Sequence, residues 1–301
     1  MSFSAQVKNE LARAPLANKP CCLRAELCGL LLYSGIFSCR KIRLSTENLA
    51  LKKRIPLLFQ RTLGFAPEVL DRGEDKKATF TLEEKDKLRL VFDAFGYELR
   101  DAPVHLNLSI LEERCCKASF LRGAFLAGGS VMNPEKRYHL ELASHHKSLT
   151  GEVMSLLLDL DFSPRVSERN NDYVIYLKES GAIEDFLTAI GAQLSALSIM
   201  EIKVEKEIRN EVNRRTNCDD ANISKVVATA QRQVAAIRAL RERGALDRLP
   251  EALRQTAELR ETYPELALKE LAALHDPPVS KPGLAHRLNR LTALAKELDY
   301  E

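Results

Sequence analysis

The stretch "LRGAFLAGG", residues 121–129, decides how the chain is read. Large apolar residues (Leu121, Phe125, Leu126) are interleaved with Gly123, Ala124, Ala127, Gly128 and Gly129, so the helix they imply has a face bare enough for another backbone to come close. A matching stretch lies ninety-four positions earlier: Leu27 answers Leu121, Gly29 answers Gly123, Leu32 answers Leu126, Gly35 answers Gly129, and Cys21-Cys22 answers Cys115-Cys116. The likeness continues downstream. "IRLST" (42–46) answers "LELAS" (140–144), "TLGFAPEV" (62–69) answers "DLDFSPRV" (159–166), and "FTLEEKDKLRLVFDAFG" (80–96) answers "IYLKESGAIEDFLTAIG" (175–191). Such collinearity, with a drift of a few residues, means two copies of one fold.

Each copy reads as an α+β lobe, the first over residues 1–105 and the second over 106–198. An apolar helix opens it. Alternation at Ile42, Leu44 and Thr46, or at Tyr138, Leu140 and Leu142, gives a strand, and an amphipathic helix follows around Pro56 to Leu63 or Thr150 to Leu158. A further strand, "YVIYL" (173–177) in the second copy, comes after the turn-forming "RNND", and a closing helix over about 180–190 ends at Gly191. Mutual packing of the two opening helices at their small residues is the natural use of the pair, which makes Gly29, Gly35, Gly123, Ala127 and Gly129 the expected lobe interface.

Composition sets outer limits. With 301 residues, 45% of them hydrophobic, the chain can build two or three compact domains. No run approaches a membrane span, and "MSFSAQVKNELARA" is amphipathic without a signal-peptide core, so the expectation is a cytoplasmic protein with no membrane partner. A net charge of only +3 requires that any surface for nucleic acid be locally basic. Seven cysteines, an odd number without CxxC spacing, speak against a disulfide framework or zinc ribbon. Vicinal pairs are an arrangement a soft metal accepts, but half-buried thiols are the plainer reading, and no metal or cofactor is assigned. "GAFLAGGS" lies at the end of a helix and not after a strand, which argues against a nucleotide-phosphate loop.

From about residue 200 the strand pattern disappears. Residues 199–222 are expected to be a linker and 223–301 an all-α helix-turn-helix domain. In "RNEVNRRTNCDDAN" (209–222), Arg209, Arg214 and Arg215 with four asparagines could meet a nucleic-acid backbone, whereas "NCDDAN" reads equally as a capped turn. A helix around Glu251 to Thr262 should stop before Pro264, which suits the first turn of the next, Glu265 to Leu274. After "HDPPV", Ser280 can cap a third helix whose Leu284, Leu288, Leu291, Ala295 and Leu298 recur on one face. Rotating 100° per residue puts Pro282, His286, Asn289 and Arg290 opposite that stripe and Lys281 and Arg287 beside it. The candidate DNA-reading set is therefore Ser280, Lys281, His286, Arg287, Asn289 and Arg290: arginine and asparagine pair purine edges in the major groove, while flanking cations hold phosphate.

The duplicated glycine-containing helix resembles that of the single-chain LAGLIDADG homing endonucleases, whose two lobes join at these helices and set their sheets astride DNA. In such enzymes the acid before the final glycine of each lobe holds divalent metal. Here those places are Ser34 and Gly128, so no catalytic residue is assigned. Glu47 and Glu141 form no symmetric replacement pair, since their counterparts are His145 and Arg43; both are read as exposed positions on or beside strands.

Four longer segments, "SFSAQVKNELAR" (2–13), "FLRGAFLAGGSVMNPEKRYHLEL" (120–142), "RNEVNRRTNCDDANISKVVATAQRQ" (209–233) and "LKELAALHDPPVSKPGLAHRLNRL" (268–291), resemble the WhiA family along nearly the whole chain. That resemblance implies a nucleoid-associated transcription regulator, with a degenerate endonuclease-like region and a C-terminal helix-turn-helix that binds double-stranded promoter DNA. It also implies a role in cell division, chromosome segregation and, in sporulating species, sporulation. RNA polymerase or another transcription regulator is a candidate protein partner. Two alternatives stay open: an effector- or protein-binding scaffold with only non-specific DNA contact, and a residual DNA endonuclease.

Overall fold

A computed structural model describes residues 1–71, 73, 77–169 and 172–298, the last by its backbone. The chain divides into two compact units, Met1–Lys206 and Glu207–Glu301.

In the first unit, α1 (Phe3–Arg13) precedes two lobes of like order. Lobe one runs α2 (Pro20–Leu32), β1 (Ile36–Phe37), β2 (Ile42–Thr46), α3 (Leu49–Leu63), β3 (Glu68–Leu70), β4 (Ala78–Leu82) and α4 (Lys85–Ala94). Lobe two runs α5 (Arg114–Gly128), β5 (Gly129–Val131), β6 (Leu140–Ser144), α6 (Lys147–Leu158), β7 (Arg165–Arg169), β8 (Asp172–Leu177) and α7 (Ser180–Ile190). The two antiparallel sheets share a strand order, β1-β2-β4-β3 and β5-β6-β8-β7, and equivalent central pairings, Leu44 with Phe80 and Leu142 with Ile175. Period-two alternation turns Ile42, Leu44 and Phe80, or Leu140, Leu142 and Ile175, into the core and leaves the intervening residues on the opposite face.

Boundaries follow local chemistry. Gly191 adopts φ +95° and ends α7 where glycine was expected to stop it. α3 begins at Leu49, seven residues before the predicted start near Pro56, because Asn48 caps it: its side chain accepts from Leu51 N at 2.9 Å. Pro56 therefore sits inside the helix, where buried Leu51, Ile55, Leu58 and Phe59 hold the turns on either side. The predicted turn "RNND" includes positions 170 and 171, which lie outside the described residues.

The lobes meet at α2 and α5. A Cβ added to Gly29 would lie 2.0 Å from Phe120 O, and one added to Gly123 would lie 2.0 Å from Glu26 O, so at both glycines backbone touches backbone. Of the other residues expected there, Ala127 is half-buried beside a recess also lined by Lys8 and Asn48. Gly35 and Gly129 are corrections. Gly35 is exposed beyond the end of α2, where an added Cβ would meet only Arg43 O, at 3.8 Å; Gly129 packs on Phe125 of its own helix and begins β5. Both miss the crossing because they follow the last turn of their helices.

A buried ionic knot also ties the junction. Glu26, fully buried on α2, accepts from Arg54 Nε at 2.6 Å and Arg54 Nη2 at 3.0 Å, and Arg122 Nη1 of α5 stands 3.6 Å away. Arg122 Nε donates to Ile190 O at 2.6 Å, linking the knot to the end of α7.

α8 (Gln193–Glu242) is a single helix that starts where Glu10 of α1 accepts from Leu194 N and Ser195 N at 2.7 and 2.9 Å. The expected linker, 199–222, is therefore helical, and "NCDDAN" lies in helix interior, not in a capped turn. Once a helix is nucleated, two polar turns cost only tenths of a kcal/mol per residue, roughly, and do not stop it. In the second unit α8 is followed by α9 (Glu251–Thr262), α10 (Leu268–Ala273) and α11 (Lys281–Leu298) around a core of Ile237, Leu240, Leu246, Ala257, Leu271, Leu284, Leu288 and Leu291. α9 ends where expected. α10 starts three residues after the predicted Glu265, because Glu270 reaches back to accept from Ala267 N at 3.2 Å and Pro264 is spent in the preceding turn.

Candidate nucleic-acid interface

α11 is built by its own sequence. Ser280 Oγ accepts from Gly283 N at 3.2 Å and Ser280 O accepts from Leu284 N at 2.9 Å, which fixes the start. Leu284, Leu288, Leu291 and Ala295 are buried, and the side chain of Leu298, the last of the predicted stripe, lies outside the described residues. Pro282, His286, Asn289 and Arg290 are exposed on the other side, and Lys281 beside the stripe and the capping Ser280 are exposed as well. Arg287 differs: it is half-buried and its Nη1 approaches Ala252 O of α9 at 3.5 Å, so the helix bundle engages part of its guanidinium.

The turn that presents α11 is fixed by buried polar groups. His275 Nδ1 lies 3.0 Å from Leu271 O, Nε2 lies 3.0 Å from Thr256 Oγ, and Val279 N donates to Ala272 O at 3.1 Å. Arg260 spans the preceding turn, donating to Gln233 Oε1 at 3.0 Å and Leu266 O at 2.8 Å. These bonds hold α9, α10 and the start of α11 as one block. The residues aimed outward therefore sit on a rigid base, which a groove-reading helix requires.

Arg209, Arg214 and Arg215 are all exposed on α8, but the helix separates them. At 100° per residue Arg214 shares a face with Asn210, Asn213 and Asn217, Arg209 lies to one side, and Arg215 faces away. The three do not form one patch.

In the first unit, Ser34 is buried and donates to Leu31 O at 2.6 Å. Gly128 is the last residue of α5, where an added Cβ would lie 2.6 Å from Ala143 O and 2.9 Å from Tyr33 Cδ1. The position thus has no room for a carboxylate side chain as packed. Glu47 is exposed, but Glu141 is a correction: it is half-buried, accepts from Ser130 Oγ at 3.0 Å, and lies 3.3 Å from His139 Nε2. Its cross-strand partner in the β5–β6 ladder, Ser130, draws it in.

Sequence reasoning passed over a basic recess on lobe two, lined by Lys136, Arg137, Tyr138, Lys178 and Lys206 without an acid. Lys206 Nζ donates to Pro134 O at 2.7 Å and sits 4.8 Å above the Tyr138 ring; Lys178 Nζ sits 4.8 Å above Tyr176. "EKR" at 135–137 was the visible signal, but the lysines at 178 and 206 join it only through the fold.

Comparison with known proteins agrees with both halves of this description. The family model described as the WhiA LAGLIDADG-like domain matches residues 117–209, and that described as the WhiA C-terminal HTH domain matches residues 212–295. "Probable cell division protein WhiA" of Alkaliphilus metalliredigens is 37% identical across 98% of this chain and 98% of its own, and the protein of that name from Bacillus cytotoxicus is 38% identical across 99% and 97%. The crystal structure of full-length WhiA from Thermatoga maritima superposes with a TM-score of 0.62 at 27% identity, covering 99% of each chain. Duplicated LAGLIDADG-like lobes followed by a helical helix-turn-helix region, together with end-to-end likeness at this level, establish that the chain belongs to the WhiA family.

Proposed function

We propose that the chain is a sequence-specific DNA-binding regulator of transcription acting in cell division, with α11 as its reading helix and its ancestral nuclease chemistry lost. The observation that carries this reading is the two-sided character of α11. Leu284, Leu288 and Leu291 anchor it in the core, while His286, Asn289 and Arg290 stand exposed opposite and Lys281 stands exposed at the flank, with Ser280 at the capped end. Between Ser280 and Lys296 there is no acid, so the outward surface is compatible with a polyanion. Promoter DNA is the assigned partner, the relatives' printed name supports the cell-division setting, and chromosome segregation and sporulation are downstream roles in keeping with the family. In this reading the protein sits on the nucleoid, and RNA polymerase or a second regulator meets the lobes. Ser34 and Gly128, where endonuclease acids would stand, support the loss of cleavage.

Within α11, Arg290 and Asn289 read base edges, while Lys281 holds phosphate and Arg287, partly engaged by α9, adds a weaker phosphate contact. Arg290→Ala should weaken a selected site by roughly 1–3 kcal/mol and relax one base position. Lys281→Ala should weaken selected and scrambled DNA alike and lower the salt slope by about one. Titrations at several salt concentrations separate these effects. Wild-type binding by both variants, with binding lost on deletion of residues 1–195, would transfer recognition to the lobes.

A further inference from the structure

Four of the seven cysteines gather at one end of the α2–α5 crossing. Cys21 and Cys22 lie in the first turn of α2, and Cys115 and Cys116 lie in the first turn of α5, each pair at the same remove from the crossing glycines Gly29 and Gly123. The Sγ atoms of Cys21, Cys22 and Cys116 all lie within 4.8 Å of one another. The Cys115 thiol neighbours that of Cys22 and is the exposed member of the four. Among the described residues no other group of three or more His, Cys, Asp or Glu side chains converges in this way.

The arrangement suits one shared cation better than paired sulfurs. Three mutually adjacent thiols surround a point, whereas a disulfide takes two and strands the third. A tetrahedral zinc–thiolate centre, with Zn–S near 2.3 Å, needs sulfurs about 3.8 Å apart, so the thiols are close to the required spacing. Positive charge borders the cluster. Both pairs sit on helix N-terminal turns, which carry partial positive charge, and Lys19 adds a full one beside Cys21. Buried Ser119 lines the same cavity as Cys22, a polar neighbour of the kind that orients a ligand. An open cavity lined by Cys22, Cys115, Arg114 and Arg122 gives a cation a way in and places two further guanidinium groups nearby.

We propose that Cys21, Cys22, Cys115 and Cys116 form a thiolate site for a soft divalent cation of the zinc type, which clips lobe one to lobe two. Binding releases the four thiol protons to solvent and requires no oxidant. The site lies at the helix starts, away from Ser34 and Gly128 at the helix ends, and is independent of α11.

The test uses the full chain, reduced, freed of metal with chelator, and kept anaerobic. Cobalt(II) is the probe. The expected result is a thiolate-to-cobalt charge-transfer band with the visible bands of a tetrahedral centre, saturating at one cobalt per chain, bleached by zinc, and accompanied by a higher unfolding temperature. The double variant Cys21→Ser/Cys116→Ser should lose the bands, although Cys28, Cys39 and Cys218 remain; bands that persist in it overturn the proposal. Should that variant fail to fold, Cys115→Ser, at an exposed position, is expected to weaken cobalt binding about tenfold or more and alter the spectrum. Unchanged affinity and spectrum there would remove the four-thiolate site. Reduced wild-type protein that takes up no cobalt, yet forms a Cys21–Cys116 disulfide when a peroxide is supplied, would overturn the metal assignment in favour of a redox pair.

Discussion

Replacing Gly123 with alanine should be expensive although it adds one methyl group. The added Cβ would stand 2.0 Å from Glu26 O and 2.7 Å from Leu30 N, both backbone atoms that no side-chain rotation can move aside. Reaching even the 3.0 Å that real Cβ atoms respect requires α2 and α5 to separate by about 1 Å along that line. A gap of this size forfeits roughly a quarter to a half of each dispersion contact across it. Leu27, Leu30, Phe120 and Ala124, all essentially unexposed, line the crossing and share that loss. The expected cost is about 3 kcal/mol, the upper part of the overpacking range, since it outweighs the roughly 1 kcal/mol that alanine gains over glycine within a helix. Gly151→Ala is the control of opposite sign: Gly151 lies within α6 with nothing within 4 Å of an added Cβ, so it should stabilise by roughly 0.5–1 kcal/mol. Urea unfolding of the full chain, followed by circular dichroism and by hydrogen exchange on peptides from residues 1–206, measures both. If Gly123→Ala unfolds with the wild-type midpoint, the helices do not cross at backbone contact and the reasoning fails.

Other outcomes follow from the same geometry. Purified protein should leave plasmid and linear DNA intact with magnesium or manganese; metal-dependent double-strand cleavage that survives repurification and vanishes on mutating Glu47 or Glu141 would refute the loss of nuclease chemistry. Glu26→Gln leaves Arg54 and Arg122 around a neutral amide and should cost about 3 kcal/mol or more, read by denaturant titration. Lys8, whose ammonium burial pushes down to about 8 from 10.5, binds protons more weakly in the folded chain than in the unfolded one. Its contribution to stability therefore rises as pH climbs from about 8 towards 10.5, and Lys8→Met should remove that rise from paired thermal melts.

What the sequence disclosed and what it withheld divide along physical lines. The duplication, α7 with its Gly191 stop, the end of α9 before Pro264 and the buried face of α11 were all legible, because periodicity and turn chemistry are local signals. The start of α3 was misplaced because Pro56 reads as a helix opener, while the true cap, Asn48, lies eight residues before the expected start. "NCDDAN" misled in the opposite direction: its residues favour caps, yet propagation through a fifty-residue helix overrides them. Gly35 and Gly129 share the glycine pattern of the crossing but fall past the helix ends, which spacing alone does not reveal. The least visible features join distant positions. A single glutamate in the apolar "CCLRAELCGLLL" demands a partner, but nothing local names Arg54 or Arg122. The two cysteine pairs, read separately, were plain thiols; only the crossing brings them together.

The knot at Glu26 also says something about heredity. In a dimer of identical chains any residue at a two-fold interface appears twice, so a buried acid near the axis would confront its own copy. Carrying both lobes on one chain lifts that constraint. The position ninety-four residues after Glu26 is Phe120, and that after Cys28 is Arg122, so acid and base each have an unlike counterpart across the pseudo-axis. One carboxylate with two guanidinium groups nearby is an arrangement self-complementary symmetry would double and so spoil. Fusion of the halves thus let the seam become lopsided. Swapping α2 and α5 between the lobes, though each helix fits its own fold, would not rebuild the junction.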